Sequence, residues 1–178
     1  MTDLPPAHAL RRAGQWSNAV DLVVLSYDER FLRRKRLETV QGDGFMVSLA
    51  ETVSLRHGDA FECLDGRLIE VIAAEEPVLE ISGDLARLAW HIGNRHTPCQ
   101  IEDTRLLIRQ DHVLETMLRQ LGADIIYKVE PFTPEGGAYG HGRTLGHDLA
   151  GHELGSHDPH TQNRTEFHLP PALLMPKP

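Results

Sequence analysis

The spacing of apolar residues changes near residue 75, and that change constrains the fold more than any other feature of this 178-residue chain. Before it, over about residues 17–75, apolar side chains alternate in short runs at 19–25, 36–40, 45–49 and 60–64. Turn signals separate the runs at Gln41-Gly42-Asp43-Gly44, Arg56-His57-Gly58-Asp59 and Asp65-Gly66. Period two with glycine-rich breaks predicts a β-rich module. An extended run over 67–81, broken at Glu75-Glu76-Pro77, then leads into helical spacing. Residues 78–81 read as a strand, Ser82 as an N-cap with Asp84 in the first turn, and Leu85, Leu88, Ala89 and Ile92 as one apolar face. Gly93-Asn94 stops that helix. Strands at 99–101 and 105–108 flank the turn Glu102-Asp103-Thr104, and Asp111 caps a second helix carrying Val113, Leu114, Met117, Leu118 and Leu121. Gly122 occupies the C-cap position, and residues 124–129 form the closing strand. This βαββαβ order predicts a ferredoxin-like domain, with two helices over one face of an antiparallel sheet.

From Gly136 onward neither period appears, while glycine, proline and six of the 11 histidines (His141, His147, His152, His157, His160 and His168) concentrate there. Such a segment cannot bury enough apolar surface to offset the entropy of ordering, so a tail disordered without metal is expected. The fold class expected is therefore α+β: a β-rich domain over 1–75, a ferredoxin-like domain over 76–140 and a histidine-containing tail over 141–178.

The formal charge of -8 opposes broad contact with nucleic acid, whose affinity rests on clustered Lys and Arg. Arg33-Arg34-Lys35-Arg36 is the exception, a docking patch for an acidic partner or a nucleic-acid stripe; short charge runs are mostly solvated turns, and a turn is expected here. Cys63 and Cys99 have no CxxC partner, which argues against a disulfide framework or a Cys-rich zinc site. Neither a signal-peptide pattern nor an apolar run of membrane-spanning length is present, so no membrane partner and a cytoplasmic location are expected.

No HExxH, GxSxG, P-loop or dinucleotide signature occurs, so the chain is not expected to be an enzyme. Its chemistry lies in histidine. In His91-Ile92-Gly93-Asn94-Arg95-His96-Thr97-Pro98, His96 follows a helix end and precedes a rigidifying proline, which exposes it on a firm scaffold. Neutral imidazole suits nickel, copper and zinc; the plainer reading is a surface residue or a partner of the helix dipole. His112, on the first turn of the second helix, is either a further ligand or a solvated helix-start residue. Irregular separations of three to eight residues among the tail histidines let several imidazoles close on one ion, although a merely solubilising tail is the alternative.

The stretches Gly93-Asn94-Arg95-His96, Asp111-His112-Val113-Leu114, Met117-Leu118, Leu121-Gly122, Pro131-Phe132, Pro134-Glu135 and Gly137-Ala138-Tyr139-Gly140 together resemble the urease accessory protein UreE family. The resemblance implies a chaperone-like peptide-binding β domain, a ferredoxin-like metal-binding domain and a homodimer in which His96 of each copy meets its mate over one Ni2+ ion. It also implies metal binding by His112 and by tail histidines among His141, His147, His152, His157 and His160, with Zn2+ or Cu2+ as competitors. Where some members of the family carry another histidine, this chain has Gln110, which removes a donor near the second helix. The implied partners are the urease accessory GTPase and the urease apoprotein complex. A metal-storage protein without a delivery partner is the alternative, and a metallohydrolase, with Glu102 or Asp111 as its base, a more distant one.

Overall fold

The computed structural model describes residues 3–136. The first sheet contains β1 (Ala7–Arg11), β2 (Asp21–Leu25), β3 (Phe31–Glu38), β4 (Gly44–Ser54), β5 (Ala60–Cys63) and β6 (Leu68–Ala73), in the order β2-β6-β5-β1-β4-β3. It is mixed: β2 with β6 and β1 with β4 run parallel, and the remaining pairs antiparallel. Alternation places Val23, Leu25, Leu37, Phe45, Val47, Phe61, Ile69 and Val71 in one apolar core, where the Phe45 and Phe61 rings meet edge to face at 5.8 Å. The turn at residues 56–59 is closed by the buried Asp59 carboxylate, which accepts from Ala13 N, Arg56 N and the Arg12 guanidinium at 2.8–3.0 Å. A buried charge is tolerated because it is paired and hydrogen-bonded.

Arg33-Arg34-Lys35-Arg36 is not a turn. It lies within β3, an edge strand, where Lys35 pairs Glu29 and Arg36 pairs Asp3. Leu32 and Leu37 both face the core, five positions apart because the register shifts between Leu32 and Arg34, and their burial overrides the charge run; charged side chains on an open edge discourage pairing with another chain.

The second sheet contains β7 (Glu75–Ser82), β8 (Gln100–Ile101), β9 (Leu106–Arg109) and β10 (Asp124–Pro131), in the order β10-β7-β9-β8, every pair antiparallel. Helix α1 (Leu85–Gly93) follows β7 and helix α2 (His112–Gln120) follows β9. The expected break at residues 75–77 falls instead at Ala74, and Pro77 belongs to β7. Its carbonyl accepts from Gln110 N at 3.4 Å, so its missing N–H faces the same side, beyond the last residue paired with β9.

Leu88 and Ile92 of α1 and Leu114 and Leu118 of α2 pack with Leu79, Ile81, Leu106 and Ile108, so both helices cover one face of this sheet. Asp111 caps α2 as the sequence predicts, its Oδ1 accepting from Val113 N (2.8 Å) and Leu114 N (2.9 Å). The cap of α1 is Asp84 rather than Ser82: Ser82 is still paired with Asp124 in the ladder, and Gly83, at φ 129°, makes the bend.

The opposite face carries an ion-pair network and a small apolar cluster. Arg105 reaches Glu80 (2.5 Å), Glu102 (2.6 Å) and Glu130 (2.9 Å), while Lys128 also pairs Glu80 (2.9 Å). Lys128 and Arg105 hold the Glu80 carboxyl below its usual range, and Arg105 does the same for Glu102. Depressed folded values mean stability that is present above a carboxyl's ordinary pKa of about 4.3 and lost as pH falls through the folded values. Arg105→Met is therefore expected to lower stability at neutral pH by about 1–2 kcal/mol and to flatten the acid slope of the melting temperature. A variant that melts like the parent at pH 7 and retains the acid slope would refute this.

The apolar cluster is Val78, Leu107 and Phe132, with Tyr27 from the β2–β3 turn packed on it. Tyr27 meets Phe132 edge to face at 5.4 Å, Tyr27 N donates to Glu76, Arg109 pairs Asp28 at 2.6 Å, and the buried Arg30 donates to the Phe132 carbonyl. These contacts join the two sheets' domains.

Candidate metal centre

Helix α1 ends at Gly93, and three successive turn bonds carry the chain out of it: Asn94 N to Trp90 O (3.0 Å), Arg95 N to Ile92 O (3.0 Å) and His96 N to Gly93 O (2.9 Å). His96 then takes φ 53°, one of two non-glycine residues in the described part with positive φ. That left-handed conformation costs an ordinary side chain on the order of 1 kcal/mol and reverses the chain, so the imidazole stands exposed at the helix end. Two features hold the loop: Thr97 and Pro98 are half-buried behind it, and Arg95 Nε donates to Met117 Sδ of α2 at 3.0 Å. The exposure expected of His96 is present.

His112 is the first residue of α2 and is also exposed. Its carbonyl accepts from Thr116 Oγ1 at 2.8 Å, and its side chain helps to hold Glu115 below the usual carboxylate range, after the larger effects of the Tyr127 hydroxyl and Arg119. Helix α1 starts where β7 ends and returns along the sheet, whereas α2 starts where β9 ends, opposite Val78 in the first half of β7. Antiparallel pairing thus brings His96 and His112 to the same end of the domain. Gln110, exposed just before α2, offers no imidazole there.

Among the described residues, no three of His, Cys, Asp and Glu converge closely enough to hold a metal ion. Cys99, half-buried three positions after His96, joins no such group, and burial, then Glu135, pushes its thiol up to about 11. It packs on the helix-side core instead. His141, His147, His152, His157 and His160, and the Gly137-Ala138-Tyr139-Gly140 motif, lie outside the described residues.

Two apolar side chains beside the histidines are exposed; Trp90 escaped the sequence reading, and Val113, read there as part of the apolar spacing of α2, faces solvent instead. Trp90, 63% exposed, stands edge to face with His91 at 4.9 Å, and Val113, 54% exposed, follows His112. The signal was present, since Trp90 is out of phase with the Leu85, Leu88, Ala89 and Ile92 stripe. Among the described residues, no helix is long and apolar enough to cross a membrane.

Residues 2–74 match the family described as UreE urease accessory protein, N-terminal domain, and residues 72–164 match its C-terminal domain. A urease accessory protein UreE of Ruegeria pomeroyi is 68% identical over 146 residues, covering 82% of this chain and 98% of the relative. One of Cereibacter sphaeroides is 66% identical over 149 residues, with 83% and 82% covered. One of Rhodobacter capsulatus is 64% identical over 136 residues, with 76% and 87% covered. With both family domains matched end to end and relatives this similar along most of its length, the chain belongs to the UreE family of urease accessory proteins, a family of nickel metallochaperones.

Proposed function

We propose that this protein acts as a cytoplasmic homodimer that carries Ni2+ on a pair of His96 imidazoles and hands it to the urease apoprotein complex with its accessory GTPase, performing no covalent chemistry itself. The observation that carries this reading is His96: exposed, held in a strained backbone at a helix end, and part of no converging group of three donors among the described residues of its own chain. Nickel takes four to six N or O donors, so a firm imidazole short of such a set is half of a site that a second copy completes across a two-fold axis. Exposed Trp90 and Val113, beside His91 and His112, supply apolar surface at that end of the domain for the second copy. An incomplete shell releases its ion readily, which suits delivery more than storage.

On this reading residues 1–75 form the partner-binding β domain. Residues 76–140 form the metal-binding and dimerisation domain on the ferredoxin-like plan, which the order β10-β7-β9-β8 and the helices on one face support. Residues 141–178 supply His141, His147, His152, His157 and His160 as further ligands, and His112 is an auxiliary one. Zn2+ and Cu2+ compete for the same donors, copper binding at least as well by the Irving–Williams order.

Nickel isotherms for the full chain and for a chain ending at Gly140, at about pH 7.5 and about pH 5.5, test this, because protons compete with metal for imidazole, whose ordinary pKa is about 6.5. The shorter chain is expected to bind fewer ions at the higher pH, and the lower pH to reduce the full chain to a small residual. Equal capacity in both chains would remove the tail from the site. Nickel transfer to apo-urease unaffected by His96→Ala would favour storage over delivery.

A further inference from the structure

β3 ends the first sheet with four cations in a row, Arg33-Arg34-Lys35-Arg36, in a chain of formal charge -8. The hydrogen bonds at its end show which way each residue points. Thr39 N donates to the Asp43 carbonyl on the β4 side, whereas Val40 N donates away from β4, to the Leu22 carbonyl. Backbone groups alternate along a strand, so Leu37 and Lys35 turn theirs to β4, and Arg34, Arg36 and Glu38 turn theirs to the open edge. Leu37 is buried, so the side chains of Arg34, Arg36 and Glu38 stand together on the solvent face. Arg34 has no partner among the described residues. Arg36 lies across Gly44, where a Cβ would stand 2.5 Å from its Nη2, and pairs Asp3 at 2.7 Å. That pair is more than half exposed on both sides, and such pairs are weak, so another carboxylate can replace Asp3.

We propose that the edge of β3 from Arg34 to Glu38 binds an acidic segment of a partner protein as an added strand, with carboxylates two positions apart set opposite Arg34 and Arg36. This rests on the reading of residues 1–75 as the partner-binding domain and adds the edge and the chemistry of the partner; it involves neither His96 nor nickel. An added strand uses the free backbone donors and acceptors of the edge for affinity and its alternate side chains for choice. Residues opposite one another on neighbouring strands stand about 5 Å apart at Cβ, close enough for each arginine to pair one carboxylate. The charges that deter neutral and basic strands from this edge therefore select an acidic one. Nucleic acid fits less well: phosphates make no use of a row of alternating donors and acceptors, Glu38 interrupts the cations on the solvent face, and Glu29 neutralises Lys35.

Fluorescence anisotropy on the full chain tests this, with a short labelled peptide that alternates glutamate with threonine. The comparison probes are the same residues with the glutamates in one block, the alternating peptide with lysine for glutamate, and a single-stranded oligonucleotide. The alternating acidic peptide is expected to bind the parent about tenfold or more tighter than any of these. Arg34→Glu combined with Arg36→Glu is expected to lose about tenfold or more for that peptide and to bind the lysine peptide instead, a gain that an unfolded variant would not show. Parental affinity for the acidic peptide in the reversed variant would overturn the proposal and leave residues 1–75 a binding domain with its site elsewhere. Reversal that loses the acidic peptide without gaining the lysine one would also overturn it. Tighter binding of the oligonucleotide would give the edge to nucleic acid, and a changed oligomeric state on reversal would give it to a second copy; either overturns the proposal. No binding of any peptide by the parent would overturn both the proposal and the broader reading of the domain.

Discussion

Replacement of His96 by alanine is expected to abolish the tightest nickel site shared by a pair of chains, with affinity falling on the order of 100-fold or more. Changing a residue that merely orients a metal ligand already costs about 10–100-fold, and here each pair of chains would lose two ligands at once. The fold is expected to survive, since the imidazole is exposed and only its backbone takes part in the turn bonds to α1. The left-handed φ of 53° adds a second arm to the experiment. Glycine adopts that conformation freely whereas alanine does not, so His96→Gly should be more stable than His96→Ala by about 0.5–1 kcal/mol without metal, yet equally poor at binding nickel. Titration calorimetry and apo melting curves on the three proteins separate the two effects. Parental affinity in both variants would remove His96 from the site. A glycine variant less stable than the alanine one would show that the left-handed backbone does not penalise alanine, and a loss in both variants relative to the parent would mean that the imidazole itself holds the loop.

The position of His96 was legible because helix ends announce themselves: the apolar stripe ending at Ile92, the Gly93-Asn94 stop and Pro98 bracket it. Its left-handed backbone was not, since histidine carries no strong preference of the kind that glycine does. In the second domain both helices and the longer strands were readable because their spacing repeats over a full element, β8 was marked by the turn at Glu102-Asp103-Thr104 after it, and Asp111 caps α2 where expected. The misreadings share one cause, tertiary pairing overriding local pattern. β1 went unread because Ala7–Arg11 is short and ends in arginine, and it gives the core only Ala7 and Leu10 while backbone pairing to β5 and β4 holds it in place. The arginine-rich part of β3 is a strand because β4 pairs with it. The passage of Phe132 beneath the second sheet depends on Arg30, 102 residues earlier, a separation at which neither spacing nor turn chemistry gives a signal.

That long-range junction carries the largest expected effect on stability. Phe132 is fully buried, in contact with Val78 and Leu107 and edge to face with Tyr27. Truncation to alanine removes a whole ring from a cluster that has few other members, so neighbouring side chains can collapse into the space only in part. A loss of about 3–5 kcal/mol is expected, a large share of the 5–15 kcal/mol that holds a typical domain. The charge beside it enlarges the penalty: the Arg30 guanidinium, 2% exposed, donates to the Phe132 carbonyl and lies 5.7 Å from the Tyr27 ring, so loosening this segment weakens the surroundings of a buried cation. Phe132→Leu retains most of the volume and is expected to cost about 1–2 kcal/mol. The junction also joins the two domains, so Phe132→Ala is expected to split the single denaturant transition into two, the β-rich domain and the helix-covered sheet unfolding separately. Denaturant unfolding followed by Trp16 fluorescence for the first domain and Trp90 fluorescence for the second, each with the other tryptophan replaced by phenylalanine, reads both effects. Coincident transitions with a loss below about 1 kcal/mol would show that Phe132 neither stabilises the chain nor couples its domains.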